Sequence, residues 1–162
     1  MDNSYTDTRD LANSLRPRLG GSGIVGIDGW TGVGKTTLAQ GLAHELDGSV
    51  FDLDCALAHN QGAYVSALRM DEILEALVSQ RRPLMVSGIC LLEVIEKAGT
   101  QLDASVYVKR MAAWGWADED ELDGIDFGLP GASGEAVRKE LRSYHQRWQP
   151  HLHADYEFQR TD

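Results

Sequence analysis

Gly29-Trp30-Thr31-Gly32-Val33-Gly34-Lys35-Thr36-Thr37 is the stretch whose residue types and spacing speak most directly of chemistry. Its pattern, Gly-x-x-x-x-Gly-Lys-Thr, lets a glycine-rich loop turn several backbone N–H groups onto one phosphate. Gly29, Gly32 and Gly34 permit positive φ and close approach of the backbone. Lys35 is then expected on the β- and γ-phosphates of a nucleotide, and the Thr36 hydroxyl on Mg²⁺. Such a loop needs a strand that delivers it and a helix whose N-terminus faces the anion. Ile24, Val25 and Ile27 make a β-rich run before it, and Leu38, Ala39, Leu42 and Leu46 recur at helical spacing behind it. A glycine-rich turn with a stray lysine is the plain alternative, and the agreement of both flanks argues against it.

In an open parallel sheet, ligands collect beyond the carboxyl ends of the strands. Asp52 and Asp54 close a second strand at Ser49–Asp54, and alternate residues of an extended chain project to the same side. Phosphoryl transfer to an alcohol uses one carboxylate to orient the hydroxyl or take its proton and another to hold Mg²⁺. Solvated acidic punctuation is the alternative reading. Ser87-Gly88 ends a third strand where a hydrolysing ATPase of this loop type carries an acid, which argues against a motor-like ATPase. Lys109 and Arg110 follow a fourth strand, where Arg110 would stabilise transition-state charge unless it serves only solubility. Arg69 opens a helix and suits an anionic group on an acceptor.

The elements that must place these residues alternate. A helix over 1–20 shows Leu11, Ala12 and Leu15 on one face, is stopped by Pro17, and is expected across the sheet edge. Gly48 marks the end of the helix behind the loop. Further helices are expected at 67–80, from Leu91 to Gly99, and at 135–148, ahead of Pro150. Strands are expected at Leu84–Ser87, Ala104–Val108 and, edge-like, Tyr156–Arg160. Alternation of this kind implies a parallel sheet covered on both faces, here a three-layer α/β/α domain with five mostly parallel strands spanning 1–162. Residues 109–133 hold Trp114, Trp116 and six acidic residues from Asp118 to Asp126, and read either as a lid or as a solvated acidic loop.

The chain of 162 residues carries a net charge of −10, which disfavours a general nucleic-acid-binding surface. A basic pocket for one nucleotide remains compatible with it. No apolar run approaches the roughly 20 residues of a membrane span, and no signal-peptide core is visible, so a cytoplasmic protein is expected. Cys55 and Cys90 are expected as buried reduced thiols, and His151 and His153 as exposed loop residues rather than metal ligands.

The residues Ile27-Asp28-Gly29 leading into Gly34-Lys35-Thr36-Thr37-Leu38-Ala39 resemble the opening of uridine kinase and its relatives among the P-loop small-molecule kinases. Tyr144, His145, Pro150, Ala154 and Asp155 resemble the segment before the last strand in the same proteins. Phe51-Asp52-Leu53-Asp54, with Gly62 and Leu68-Arg69, is similar to shikimate kinase. That resemblance implies Asp52 near Mg²⁺, Asp54 at the acceptor hydroxyl and Arg69 on an acceptor anion. Both families carry a lid arginine, whereas residues 111–134 contain no Lys or Arg; Arg138, Arg142 and Arg147 on the last helix are the candidates to replace it, with a solvent-facing role as the alternative. The expected function is transfer of the γ-phosphoryl of ATP, or GTP, with Mg²⁺, to a hydroxyl of a small metabolite. A nucleotide-binding regulator and an inactive interaction module are its rivals. Oligomeric state is left open, a homodimer included.

Overall fold

A computed structural model describes residues 3–58, 63–123 and 135–161. At its centre lies strand β2 (Ile24–Gly29), whose six residues are all buried. The other strands are β1 (Ser4–Tyr5), β3 (Ser49–Asp52), β4 (Leu84–Ser87), β5 (Ala104–Ala112), β6 (Gly115–Trp116) and β7 (Tyr156–Thr161). Their order is β1-β7-β5-β2-β4-β3, with β6 antiparallel on the far end of β5. All neighbours along the main path are parallel. The helices are α1 (Thr8–Leu19), α2 (Lys35–Leu46), α3 (Met70–Ser79), α4 (Leu91–Lys97), α5 (Glu135–Trp148) and α6 (Pro150–His153). The arrangement is the expected α/β/α type.

Register positions the site. Ile27 pairs with Ser87, Asp52 pairs with Ser87, and Gly29 pairs with Val108. The carboxyl ends of β3 and β4 therefore lie level and β2 runs two residues further, while β5 continues past Val108, and the loop from 29 to 34 opens among them. A Cβ at Gly26 would press on Leu91 and Leu102, so β2 presents Gly26 and Asp28 to α4 while Val25 and Ile27 face the opposite layer.

Several expectations are corrected. The sheet has seven strands among the described residues, not five, because β1 and β6 have only two residues each, too few for a period-2 pattern. β7 is not an edge strand: β1 pairs along its other side, at Ser4 with Glu157 and Tyr5 with Phe158. Helix α1 packs chiefly on α2, with smaller contacts to β5 and to the edge strand β1, where the Tyr5 and Ser14 hydroxyls share a hydrogen bond. It also continues through Pro17, which removes a single N–H near the helix end; Gly20, at φ 57° and donating to the Arg16 carbonyl, is what stops it. Strand β3 ends at Asp52, where the side chain accepts the Asp54 N–H at 2.9 Å and starts a 3₁₀ turn, Leu53–Ala56. Asp52 and Asp54 thus do not alternate along one strand. Lys109 and Arg110 lie inside β5 rather than beyond it. Cys55, on that turn, is exposed, while Cys90 is buried. His151 lies on α6 and packs near the rings of Tyr107, Trp116 and His145 instead of standing in an open loop.

Two glycines have separate reasons. Gly34 caps α2 at φ 96°, and a Cβ there would collide with the Arg160 guanidinium. Gly48 is not the left-handed residue that ends α2; Asp47 is, at φ 53°. Gly48 is required because a Cβ would strike the Pro83 carbonyl. Residues 124–133 of the expected lid, and Gly62, lie outside the described residues.

Candidate active site

The loop and the ends of β3 and β4 enclose a cavity of about 590 Å³, lined by Lys35, Thr36, Asp52, Asp54, Tyr64 and Ser87 among others. Lys35 is only 9% exposed, and its Nζ donates to the Trp30 carbonyl at 2.5 Å. Burial pulls its pKa down, opposed by the negative field of Asp28, Asp54, Asp52 and Asp118. The Thr36 hydroxyl donates to Asp52 Oδ2 at 3.0 Å. Asp54 receives the Tyr64 hydroxyl on Oδ1 at 2.7 Å, and burial pushes the Tyr64 pKa far up, so this phenol stays protonated and donates. Ser87 is 1% exposed and its hydroxyl has no partner among the described residues.

Tyr64 is itself held from above. The Glu140 carboxylate on α5 accepts the N–H groups of Tyr64 at 2.9 Å and Val65 at 3.2 Å. A second tie from α5 reaches the root of the loop: the Tyr144 hydroxyl donates to Asp28 Oδ2 and accepts the Leu92 N–H at 3.0 Å. Asp28 Oδ1 accepts the Gly29 N–H at 2.8 Å. Burial raises the Asp28 pKa to about 6, with Tyr144, Gly29 and Lys35 working against the rise. Next along α5, His145 stacks on Trp30, centroids 4.3 Å apart and planes within 8°. Its Nδ1 lies 2.8 Å from the Leu141 carbonyl and must donate to it; Nε2 then accepts the Tyr107 hydroxyl at 2.8 Å. Burial lowers the His145 pKa to about 4, so the ring is neutral.

On the other side of the loop lies a second cavity of about 530 Å³, where Arg110, Asp118, Glu121 and Arg138 meet Trp30 and Thr31. Arg110 pairs with Asp118 at 3.0 Å. Arg138 pairs with Glu121, whose pKa it holds below the usual range, and the Arg142 Nε donates to the Glu121 carbonyl at 2.9 Å. Arg147 lies over the Trp148 ring. Arg69 lines neither cavity; it is exposed and pairs with Glu72 at 3.2 Å. Arg160 on β7 lies over Gly34, lines the first cavity, and approaches the Val33 carbonyl at 3.5 Å.

The structure therefore brings Lys35, Thr36, Asp52 and Asp54 together, sets Arg110 beside them across Thr31, and leaves Arg69 apart. Tyr64, Glu140 and Arg160 were not singled out from sequence; no local pattern marks them, since each acts through a contact distant in the chain. Asp28 had a visible signal, an acid closing an apolar strand run. Among the described residues, no group of three or more His, Cys, Asp or Glu side chains could hold a metal ion. No helix there is long and apolar enough to cross a membrane.

No protein-family model matches the chain, and no curated protein matches it. Among solved structures, a possible uridine kinase from Bacillus stearothermophilus superposes with a TM-score of 0.54 at 16% identity, covering 90% of this chain and 99% of that one. Shikimate kinase from Bacteroides thetaiotaomicron superposes with a TM-score of 0.45 at 17% identity, covering 84% of this chain and 85% of that one. At such identities the likeness is one of architecture, and the fold of this chain is that of the P-loop kinases.

Proposed function

We propose that the protein is a small-molecule kinase that moves the γ-phosphoryl of ATP to a hydroxyl of a small metabolite. The observation that carries this reading is the Thr36–Asp52 hydrogen bond inside a cavity shared with Lys35 and Asp54. A hydrolase needs no second carboxylate for an acceptor, and Asp54, lining the cavity beside Lys35 and Asp52, supports the transferase reading. Mg²⁺ fits the donor set: a hydroxyl, one carboxylate and the buried Ser87 hydroxyl, unpartnered among the described residues, are hard oxygens, and Mg²⁺ completes its shell with water and phosphate oxygens. Thr36 and Asp52 would hold it, and it would supply neutralisation of phosphate charge.

In the proposed reaction the acceptor oxygen bonds to the γ-phosphorus as the bond from that phosphorus to the β-bridging oxygen breaks, and the hydroxyl proton passes to Asp54. Oδ2 of Asp54 is the atom for this task, because Oδ1 is engaged by Tyr64. Loop N–H groups and Lys35 stabilise the phosphates, with Lys35 exchanging the Trp30 carbonyl for phosphate oxygens. Arg110 is poised for late charge stabilisation once it leaves Asp118. Arg69, tied to Glu72, would meet an acceptor anion only by turning toward the site. GTP in place of ATP is an outcome of the same assay.

The test is ADP release from Mg²⁺-ATP against a panel of nucleosides, polyols and hydroxy acids, with Lys35→Ala as control. Acceptor-dependent release that Lys35→Ala abolishes is expected. Release that ignores every acceptor would favour a nucleotide-binding regulator that hydrolyses ATP slowly, the slowness matching Ser87 at the end of β4 where a hydrolysing ATPase carries an acid.

A further inference from the structure

The part of the first cavity that surrounds Asp54 is walled by apolar side chains. Leu57 follows the 3₁₀ turn that carries Asp54, and Val137 comes from α5. Both line the cavity and both are only partly buried, so a ligand can touch them. Asp54 is exposed, and with Oδ1 taken by Tyr64 it turns Oδ2 to whatever occupies the space.

Cations are placed elsewhere. Among the described residues the cavity is lined by two, and both belong to the loop: Lys35 opens α2, and Arg160 lies over Gly34. Arg110 and Arg138 line the second cavity and not this one. Arg69 is turned away by its own backbone. Its N–H donates to the Ala56 carbonyl at 2.7 Å, and Leu68 faces Leu57 across an antiparallel bridge, so the side chain after Leu68 projects to the opposite side. Residues 59–62 and 124–134 can add no cation of this kind, since their sequence holds no Lys or Arg. An acceptor with a carboxylate or phosphate would therefore set that charge against Asp52 and Asp54 with no ammonium or guanidinium to meet it. A positively charged acceptor has no carboxylate to itself either: Asp52 takes Thr36, Glu140 takes two backbone N–H groups, and Asp54 is needed for the hydroxyl. Extra hydroxyls would be buried against Leu57 and Val137 without partners, which is costly.

On the kinase reading above, we propose that the acceptor is an uncharged alcohol whose hydroxyl stands on an apolar skeleton, an aryl or alicyclic ring, with that skeleton lying on Leu57 and Val137. Its oxygen bonds to the γ-phosphorus as the bond to the β-bridging oxygen breaks, and its proton passes to Oδ2 of Asp54. Leu57 and Val137 are the specificity-determining contacts.

The test uses the full chain with ¹³C-labelled leucine and valine methyl groups, the spectra of Leu57→Ile and Val137→Thr identifying the two resonances. Benzyl alcohol, phenethyl alcohol and cyclohexylmethanol are titrated with Mg²⁺ and a non-hydrolysable ATP analogue bound. All three are then assayed for ADP release from Mg²⁺-ATP beside para-hydroxymethylbenzoate, para-aminomethylbenzyl alcohol, uridine and ribitol. At least one apolar alcohol is expected to move both resonances saturably and to drive ADP release with kcat/KM about tenfold or more above the charged and polyhydroxylated compounds. Val137→Thr, which sets a hydroxyl in place of one methyl, is expected to raise KM for that alcohol about fivefold and leave KM for ATP unchanged. Leu57→Lys is expected to move the preference toward para-hydroxymethylbenzoate by about tenfold, a change that a merely structural role for Leu57 would not bring. If neither variant folds, the wild-type comparison decides alone. A hydroxy acid, amino alcohol, nucleoside or polyol that is turned over in preference to all three apolar alcohols overturns the inference and keeps the kinase reading. Methyl resonances that no apolar alcohol moves also overturn it, whatever the ADP release. An apolar alcohol that moves both resonances without acceptor-dependent ADP release from any compound upholds the site and removes the kinase reading instead.

Discussion

Asp28 and His145 both sit against the loop, one raised by burial and the other lowered. Their effects on stability run in opposite directions. The Asp28 pKa rises from 3.8 to about 6, so the folded state binds its proton more readily, and the stability this contributes is lost as pH climbs through that window. The His145 pKa falls from 6.5 to about 4, so its contribution is present above 6.5 and lost as pH drops. Each amounts to about 3 kcal/mol, and in the wild type they nearly cancel between pH 4 and 6.5. Asp28→Asn keeps an acceptor for Tyr144 and removes one slope. Urea midpoints measured across this range are expected to be nearly flat for the wild type and to fall for the variant on acidification, by about 3 kcal/mol in total. A flat variant would disprove the pairing. Tyr64→Phe releases Oδ1 of Asp54, and a fall in turnover of about tenfold with KM for ATP unchanged is expected in steady-state kinetics. Lys35 and Thr36 were legible because a local motif defines them; Tyr64 was not, since its role comes from meeting Asp54 after the 3₁₀ turn has re-aimed that carboxylate.

Among the elements, α5 acts as a beam laid across the site. It holds the loop root through Tyr144, the loop indole through His145, and the Tyr64 segment through Glu140. Glu140→Gln replaces one acceptor oxygen by an amide and sets a donor against the N–H groups of Tyr64 and Val65. A loss of turnover greater than the loss of ATP affinity is expected, with Glu140→Asp recovering part of it; equal losses would mean that the tie serves only the fold. The helix itself was readable from its apolar stripe, as were α2 and the strands of the main path except β1. The pairing of Glu140 with backbone N–H groups was not, because those donors belong to a segment with no periodicity. Asp47 offers a cleaner case. A non-glycine residue at φ 53° is strained, so Asp47→Gly is expected to stabilise by about 0.5–1 kcal/mol in chemical denaturation. The Asp47–Arg81 pair it removes is solvent-exposed and weak.

For the molecule as a whole, a ligand that binds only the folded state stabilises it by mass action. Mg²⁺-ATP at one hundred times its Kd is expected to add about 2.7 kcal/mol, seen as a melting temperature raised by about 5–10 °C. Lys35→Ala should erase the shift. The α/β/α architecture was apparent from the alternation of periods, whereas the position of β7 inside the sheet was not, for β1 is too short to announce itself. That pairing joins distant parts of the chain. The Asn3 side chain donates to the Asp155 carbonyl across 152 positions, and β7 carries Arg160 to Gly34. During synthesis, then, the cavity around Lys35 lacks one wall until β7 has emerged from the ribosome. A nascent chain arrested before Tyr156 is expected to gain no protease protection from Mg²⁺-ATP, while the released chain does. Long-range strand pairing is slow, so this closing step should set the pace of folding.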